Sequence, residues 1–312
     1  LSIRAVLPVL PLLLVVTLGG AAPATPAVPA AAGPGASAVA AVAAVAVPAP
    51  ASVRLRVVNH NIEKRPAALA RALRVARRSR AQVVTLQEVC SWQVAQLRRR
   101  HPRWTVAFKP ERISGRCRSV TPGLPALTGS GRMVGNVAVW TGGARGAVAT
   151  HTFRPQRVVD DRVGLACVSW RTSVRLRACS VHLISPSAPE DVGLRTAQAR
   201  DVRRITDPWI RRDQVVVLGG DFNARPGRRT MRQLYDGAAG RFREATGRGR
   251  GGRGGRGCCA ASTYDGAGVK IDYIFYSANR TGARSHRNLR IVRTVSDHHL
   301  LVGSADVDTS RG

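Results

Sequence analysis

Val215-Val216-Val217-Leu218-Gly219-Gly220-Asp221-Phe222-Asn223 is the stretch from which the rest of the 312-residue chain can be read. A run of three valines and a leucine has the length and β-branched content of a buried strand. The two glycines after it carry no Cβ, so the backbone at that end of the strand allows a ligand to approach closely. A carboxylate and an amide, Asp221 and Asn223, follow at once. The segment therefore reads as a core strand that delivers polar groups to the rim of a sheet.

Similar runs recur on both sides of it. They are Val53–Asn59, Gln82–Gln87, Asn136–Trp140, Val163–Trp170, Val174–Leu183, Gln214–Gly219, Ile271–Tyr276 and His299–Val307. Helical patterns over Pro66–Ser79, Ser91–Arg100 and Pro189–Arg212 separate some of them, with Pro66 at a helix start, where proline is tolerated. Other runs follow one another directly, as hairpins do. The mixture predicts α/β layers with mixed rather than purely parallel sheets, in one catalytic domain over residues 53–308. Hydrophobic residues make up 44% of the chain, enough to bury a sizeable core and to exclude a disordered polycation.

Several of these strands end in residues suited to phosphoester chemistry. Hydrolysis of a phosphoester needs a cation to neutralise oxygen charge, a base for water and help for the leaving oxygen. In chain order the candidates are Asn61 in Asn59-His60-Asn61-Ile62, Glu88 in Leu86-Gln87-Glu88, and His182 in Ser180-Val181-His182-Leu183. Asp221 and Asn223 follow in Gly220-Asp221-Phe222-Asn223, then Asp272 in Ile271-Asp272-Tyr273, and Asp297 with His298 in Ser296-Asp297-His298-His299. Each alone is a common structural residue. The ordered set at successive strand ends is not.

The order resembles the endonuclease/exonuclease/phosphatase superfamily, of deoxyribonuclease-I-like fold, over about Val53 to Val307. Gly220-Asp221-Phe222-Asn223 and Ser296-Asp297-His298 are its most specific pieces. The resemblance implies an α/β fold, a four-layer α/β/β/α sandwich of two mixed β-sheets flanked by helices. It also implies a Mg²⁺-dependent hydrolase of phosphodiesters or phosphomonoesters, with Mn²⁺ or Ca²⁺ as substitutes. Glu88, Asn61 and Asp297 match the family's metal side, and an oxygen donor set suits Mg²⁺. His298 matches the histidine that contacts the scissile phosphate and helps activate water, with Asp272 as the carboxylate that orients it. His182 matches the second histidine, an acid toward the leaving group or a phosphate ligand. Asp221 and Asn223 match the pair that positions the attacking water. Asn136, in Gly135-Asn136, matches a phosphate-side position, whereas Asn59 and His299 are read as structural.

Composition bears on location and substrate. No charged residue lies between Arg4 and Arg54, and the apolar run Val6–Leu18 followed by small residues has the form of a secretory signal peptide. Residues 1–24 are read as that signal and residues 25–52 as an Ala/Pro-rich linker, which makes the protein secreted or bound to the cell envelope. Six cysteines agree with export. Cys167 and Cys179 sit opposite each other in an expected hairpin, Cys90 is read with Cys117, and Cys258 with Cys259 remain. Net charge is +31, and the 49 Lys and Arg residues include only three lysines, Lys64, Lys109 and Lys270. Such an arginine excess either reflects codon composition or serves a polyanionic partner; in both cases it attracts phosphate-rich molecules. The Gly/Arg segment Gly247–Gly257 resembles arginine–glycine tracts that hold single-stranded nucleic acid, or is a surface loop. Aromatic residues are only 4%, so no aromatic-rich hairpin for lipid insertion is evident. The leading reading is a secreted, monomeric, Mg²⁺-dependent phosphodiesterase acting on nucleic acid, with no obligate protein partner. Its rivals are a phosphatase or phospholipid phosphodiesterase with the same site, and a catalytically silent polyanion-binding module.

Overall fold

Two six-stranded sheets stack face to face in the computed structural model of the chain. It describes residues 52–117, 132–143, 146–158, 162–185, 188–235, 240–245, 261–282 and 287–310. The segments read as a signal peptide and, before Ser52, as a linker, together with the Gly247–Gly257 segment and the Cys258–Cys259 pair, lie outside the described residues.

The first sheet has the order β11-β12-β1-β2-β4-β3 and the second β5-β6-β7-β8-β10-β9. In the first, the strands are β1 (Ser52–Asn61), β2 (Val83–Cys90), β3 (Thr105–Ile113), β4 (Met133–Trp140), β11 (Arg287–Val292) and β12 (Leu300–Asp308). In the second they are β5 (Ala147–Thr152), β6 (Gly164–Arg171), β7 (Arg175–His182), β8 (Val215–Asp221), β9 (Phe242–Glu244) and β10 (Asp272–Ser277). Two pairs are parallel, β1 with β2 and β7 with β8, and the remaining pairs are antiparallel. Each parallel pair needs a crossover. Helix α1 (Pro66–Arg78) supplies the first and α3 (Asp191–Arg211) the second.

Hydrophobic burial sets the layers. Between the sheets, Leu55, Val57, Val83 and Trp140 meet Val168, Trp170, Val215 and Ile274, with the Trp140 and Trp170 rings stacked 3.9 Å apart. Helices α1 and α2 (Ser91–Arg100) cover the outer face of the first sheet through Leu69, Ala72, Val75, Val94 and Leu97. Helix α3 covers the second through Ala199, Val202 and Trp209 over Val181, Leu218 and Phe275. The expected α/β/β/α order is the one found. No described helix is long and apolar enough to cross a membrane.

Both disulfides read from the sequence are present. Cys167 faces Cys179 across the β6–β7 hairpin with Cα atoms 4.1 Å apart, and Cys90 at the end of β2 joins Cys117. The expected strands match β1, β2, β4, β6, β7, β8, β10 and β12 to within a few residues. Four strands have no counterpart in the sequence reading: β3, β5, β9 and β11. They are the four sheet edges.

Candidate active site

The parallel pairs bring the C-terminal ends of β1, β2, β7 and β8 to one end of the sandwich. Strand register then aligns the polar residues. On the second sheet His182 lies directly beside Asp221, which lies directly beside Asp272. Residues paired across strands project to the same face, so these three form one row. The loop after β11 carries Asp297 and His298 over that row, and Asn61 reaches it from the first sheet.

The row is tightly connected. His298 Nδ1 donates to Asp272 at 3.0 Å, and Asp272 is fully buried. His298 Nε2 lies 3.6 Å from Asp221 Oδ2 and His182 Nε2 lies 3.5 Å from the same oxygen. Asn61 Nδ2 donates to Asp221 Oδ2 at 3.1 Å, and the Asn223 backbone N–H donates to Asp221 Oδ1 at 2.9 Å. Asp221, Asp272 and His298 place one ligand-type atom each within 4.8 Å of one another.

Electrostatics separates the two histidines. Burial alone would lower the His298 pKa, but Asp272 and Asp221 outweigh it and raise it to about 10. Its imidazolium is the cation among these carboxylates. His182 is lowered to about 4, first by burial, with Asp221 opposing and Arg112 reinforcing, so it is a neutral imidazole. Burial also pushes the Asp221 carboxyl upward, while His298 pulls it down.

Behind the row, buried polar groups hold it in place. His60 Nε2 donates to the His298 carbonyl at 3.1 Å, and Ser296 Oγ donates to the Asn61 carbonyl at 2.8 Å. Asn59 accepts from Thr85 and Gln87, and Gln87 also donates to Ser180, which stitches the two sheets together beneath the site. Gly219 serves this seam. A Cβ there would stand 2.1 Å from Thr85 Oγ1. The first glycine of the motif thus makes room for the facing sheet; the close approach it permits is to protein, not to a ligand as its sequence position suggested. His299 points to the Ser262 carbonyl and the Asp265 carboxylate, in keeping with a structural role.

A cleft of about 810 Å³ opens over the row. Its lining includes Glu63, Glu88, His182, Asp221, Asn223, Asp297 and His298. Glu88 sits at a β-bulge with φ of 54°, and Glu63, Lys64 and Asn223 also have positive φ. Four non-glycine residues in the left-handed region around one cleft mark backbone strain of the sort concentrated at functional sites. The Glu88 carboxylate is paired with the Lys64 ammonium. Burial first, then Arg112 and Arg116, lower the Lys64 pKa to about 8. Glu63 accepts from Arg65.

Not every sequence candidate reaches the cleft. Asn136 is fully buried, donating to Glu111 at 2.7 Å and to the Gly164 carbonyl at 3.0 Å, and it does not line the cavity. Asp272 acts from behind His298. Asn61 joins the row through its amide, while its Oδ1 accepts from the Glu63 N–H at 3.1 Å. Asn223 Nδ2 is engaged with the Leu183 carbonyl at 2.9 Å, tying the loop after β8 to the end of β7. Conversely, the sequence reading passed over Glu63, Lys64, Arg195 and Tyr264. Lys64 carried a usable signal, being one of three lysines in an arginine-dominated chain and three residues past Asn61. Tyr264, whose ring centroid lies 4.9 Å from that of His298, carried none.

A hard divalent cation is compatible with this donor set. Glu88 and Asp297 present carboxylate oxygens to the same cleft, with Glu63 beside them, and a lysine ammonium already stands against Glu88.

Comparisons with known proteins agree with the fold. Among solved structures, truncated Caenorhabditis elegans TDP2 matches with 15% identity over 81% of this chain and 97% of its own, at a TM-score of 0.52. The human Nocturnin catalytic domain with bound sulfate anion matches with 17% identity over 81% and 94%, at 0.53. D. rerio TDP2 complexed with single strand DNA product matches with 15% identity over 81% and 98%, at 0.53. At such identities the likeness is one of fold. Comparison with curated protein sequences finds no match. The profile of the Endonuclease/Exonuclease/phosphatase family matches residues 55–298, so the chain belongs to that family of phosphoester hydrolases.

Proposed function

We propose that the chain is a secreted, Mg²⁺-dependent phosphodiesterase that cleaves nucleic acid. The observation that supports this most is the buried Asp272–His298–Asp221 row opening onto a cleft with carboxylates and arginines in its walls. His298, held as an imidazolium, donates a hydrogen bond and positive charge to an oxygen of the scissile phosphate; Asp272 fixes its ring. A protonated His298 cannot accept a proton, so Asp221 takes the proton of the attacking water, with Asn61 and the Asn223 N–H orienting the carboxylate. His182, a neutral imidazole, contributes an N–H to a phosphate oxygen rather than a positive charge. Glu88 and Asp297, with Asn61 adjacent, would hold the Mg²⁺, which when bound would neutralise charge on the phosphate and leaving oxygen.

Export is supported by the apolar N-terminal segment and by two disulfides. The nucleic-acid substrate is supported by the arginine excess and, by analogy of fold, by the D. rerio TDP2 complex with a single strand DNA product. The test compares plasmid DNA, RNA and an inositol phosphate at fixed salt. Metal-dependent cleavage of DNA or RNA that is at least tenfold faster per site than inositol phosphate hydrolysis is expected. The reverse preference would contradict the nucleic-acid assignment.

A further inference from the structure

Arginines gather on one side of the cleft. The carboxylates Glu63, Glu88 and Asp297 come from the turn after β1, from β2 and from the loop before β12, whereas Arg195 comes from α3 and Arg225, Arg228 and Arg229 from the turn after β8 and the start of α4 (Arg229–Arg232). Arg195 is 6% exposed, and its Nη1 donates to the Asn223 carbonyl, two residues beyond Asp221. Its Nε is buried with no hydrogen-bond partner. Arg225, Arg228 and Arg229 are exposed and have no carboxylate partner among the described residues. Three like charges within five residues on one wall of the cleft favour an anion. The wall is held firm, since Thr196 on α3 and Thr230 on α4 share a hydrogen bond of 2.9 Å.

Guanidinium forks fit phosphate oxygens. Val192, Val269 and Ile271 line the same cleft and offer an apolar surface to a sugar or base. A volume of about 810 Å³ is in the range that encloses a whole small-molecule ligand rather than a single phosphate group. We propose that Arg195, Arg225, Arg228 and Arg229 form a second phosphate subsite, which takes the phosphate next to the scissile one on a nucleic-acid strand. The proposal rests on the reading of the cleft as a nucleic-acid phosphodiesterase site.

A methylphosphonate scan tests it. Short single-stranded oligonucleotides carry a neutral methylphosphonate on one flank or the other of a fixed cleavage site, and kcat/KM is measured for the wild type, for R225Q/R228Q/R229Q and for Arg195→Lys. The expected result is that neutralising one flank costs the wild type about tenfold or more, the strength of a charge-assisted phosphate contact, and costs the triple variant no more than about twofold. Binding of the unmodified strand in EDTA, read by fluorescence anisotropy, is expected to lose about 0.7 in log–log salt slope per arginine contact removed. Equal responses of wild type and triple variant at both flanks, with an unchanged salt slope, would overturn the subsite. Hydrolysis of bis(4-nitrophenyl) phosphate with no cleavage of any strand would instead contradict the nucleic-acid reading. Coupling to the arginines seen only with a phosphorylated inositol would overturn the strand assignment.

Discussion

Asp272→Asn separates the electrostatic part of the site from its shape. Asparagine keeps the volume and an acceptor oxygen but removes a buried charge 3.0 Å from His298 Nδ1. Two unit charges about 4 Å apart interact by about 4 kcal/mol at an effective dielectric of about 20. That is about 3 pH units of imidazole basicity. His298 should therefore fall from about 10 to near neutrality. The sign follows directly: losing an anion disfavours the imidazolium. NMR titration of the His298 ring in EDTA reads the shift, and kcat/KM on a phosphodiester between pH 6 and 9 reads the consequence. At pH 8 an imidazole with a pKa near 7 is about nine-tenths neutral, so the variant should lose about tenfold in rate. The loss should shrink toward pH 6, where the imidazolium is repopulated. An Asp272→Asn protein with an unshifted His298 titration, or with activity at pH 8 within about threefold of wild type, would refute the derivation.

Other consequences concern stability. Gly219→Ala places a methyl group 2.1 Å from Thr85 Oγ1 at the seam between the sheets, so chemical unfolding should show a loss of about 1–3 kcal/mol; an unchanged midpoint would mean the seam opens freely. Removing the Cys90–Cys117 bridge with Ala at both positions releases a loop of 27 residues, for which loop entropy gives about 3.5 kcal/mol, read as a fall of roughly 10 °C in Tm. His60 and His182 are both lowered from 6.5 to about 4 by burial. Their folded-state values lie below the unfolded one, so the unfolded chain takes up protons first on acidification. Each contribution is complete above about pH 6.5 and is lost toward pH 4, by up to about 3 kcal/mol per histidine. Urea midpoints at pH 7 and 4.5 in EDTA check this, and equal midpoints would contradict it.

The eight strands legible in the sequence are interior ones, apolar on both faces or nearly so, and their runs of Val, Leu and Ile announce them. The four edges obey other constraints. Strand β3 carries Lys109, Pro110, Glu111 and Arg112, β11 breaks its apolar residues with Arg287, Asn288 and Arg290, β5 is largely exposed, and β9 has only three residues. Charge, proline and brevity protect edges from pairing with other chains, and they erase the hydrophobic period that identifies a strand. The row of His182, Asp221 and Asp272 was legible because each closes or opens an interior strand. Cross-strand register, which sequence does not display, is what aligns them. Arg195 was hidden for a different reason: on a helix of 21 residues containing several arginines, nothing local distinguishes the one that turns inward. Asn136 shows the opposite case, where a polar residue in a strand serves a buried carboxylate, Glu111, on the neighbouring edge strand.

The most direct measurement is the rate of bis(4-nitrophenyl) phosphate hydrolysis by the oxidised protein across a Mg²⁺ titration, with Asp221→Asn and EDTA in parallel and circular dichroism of each sample. Saturable Mg²⁺-dependent turnover is expected, abolished by EDTA and reduced by about 10³-fold or more in a fully folded Asp221→Asn protein. Turnover that persists in EDTA, or that Asp221→Asn leaves intact, would contradict a metal-assisted phosphoester hydrolase built around the Asp221 row.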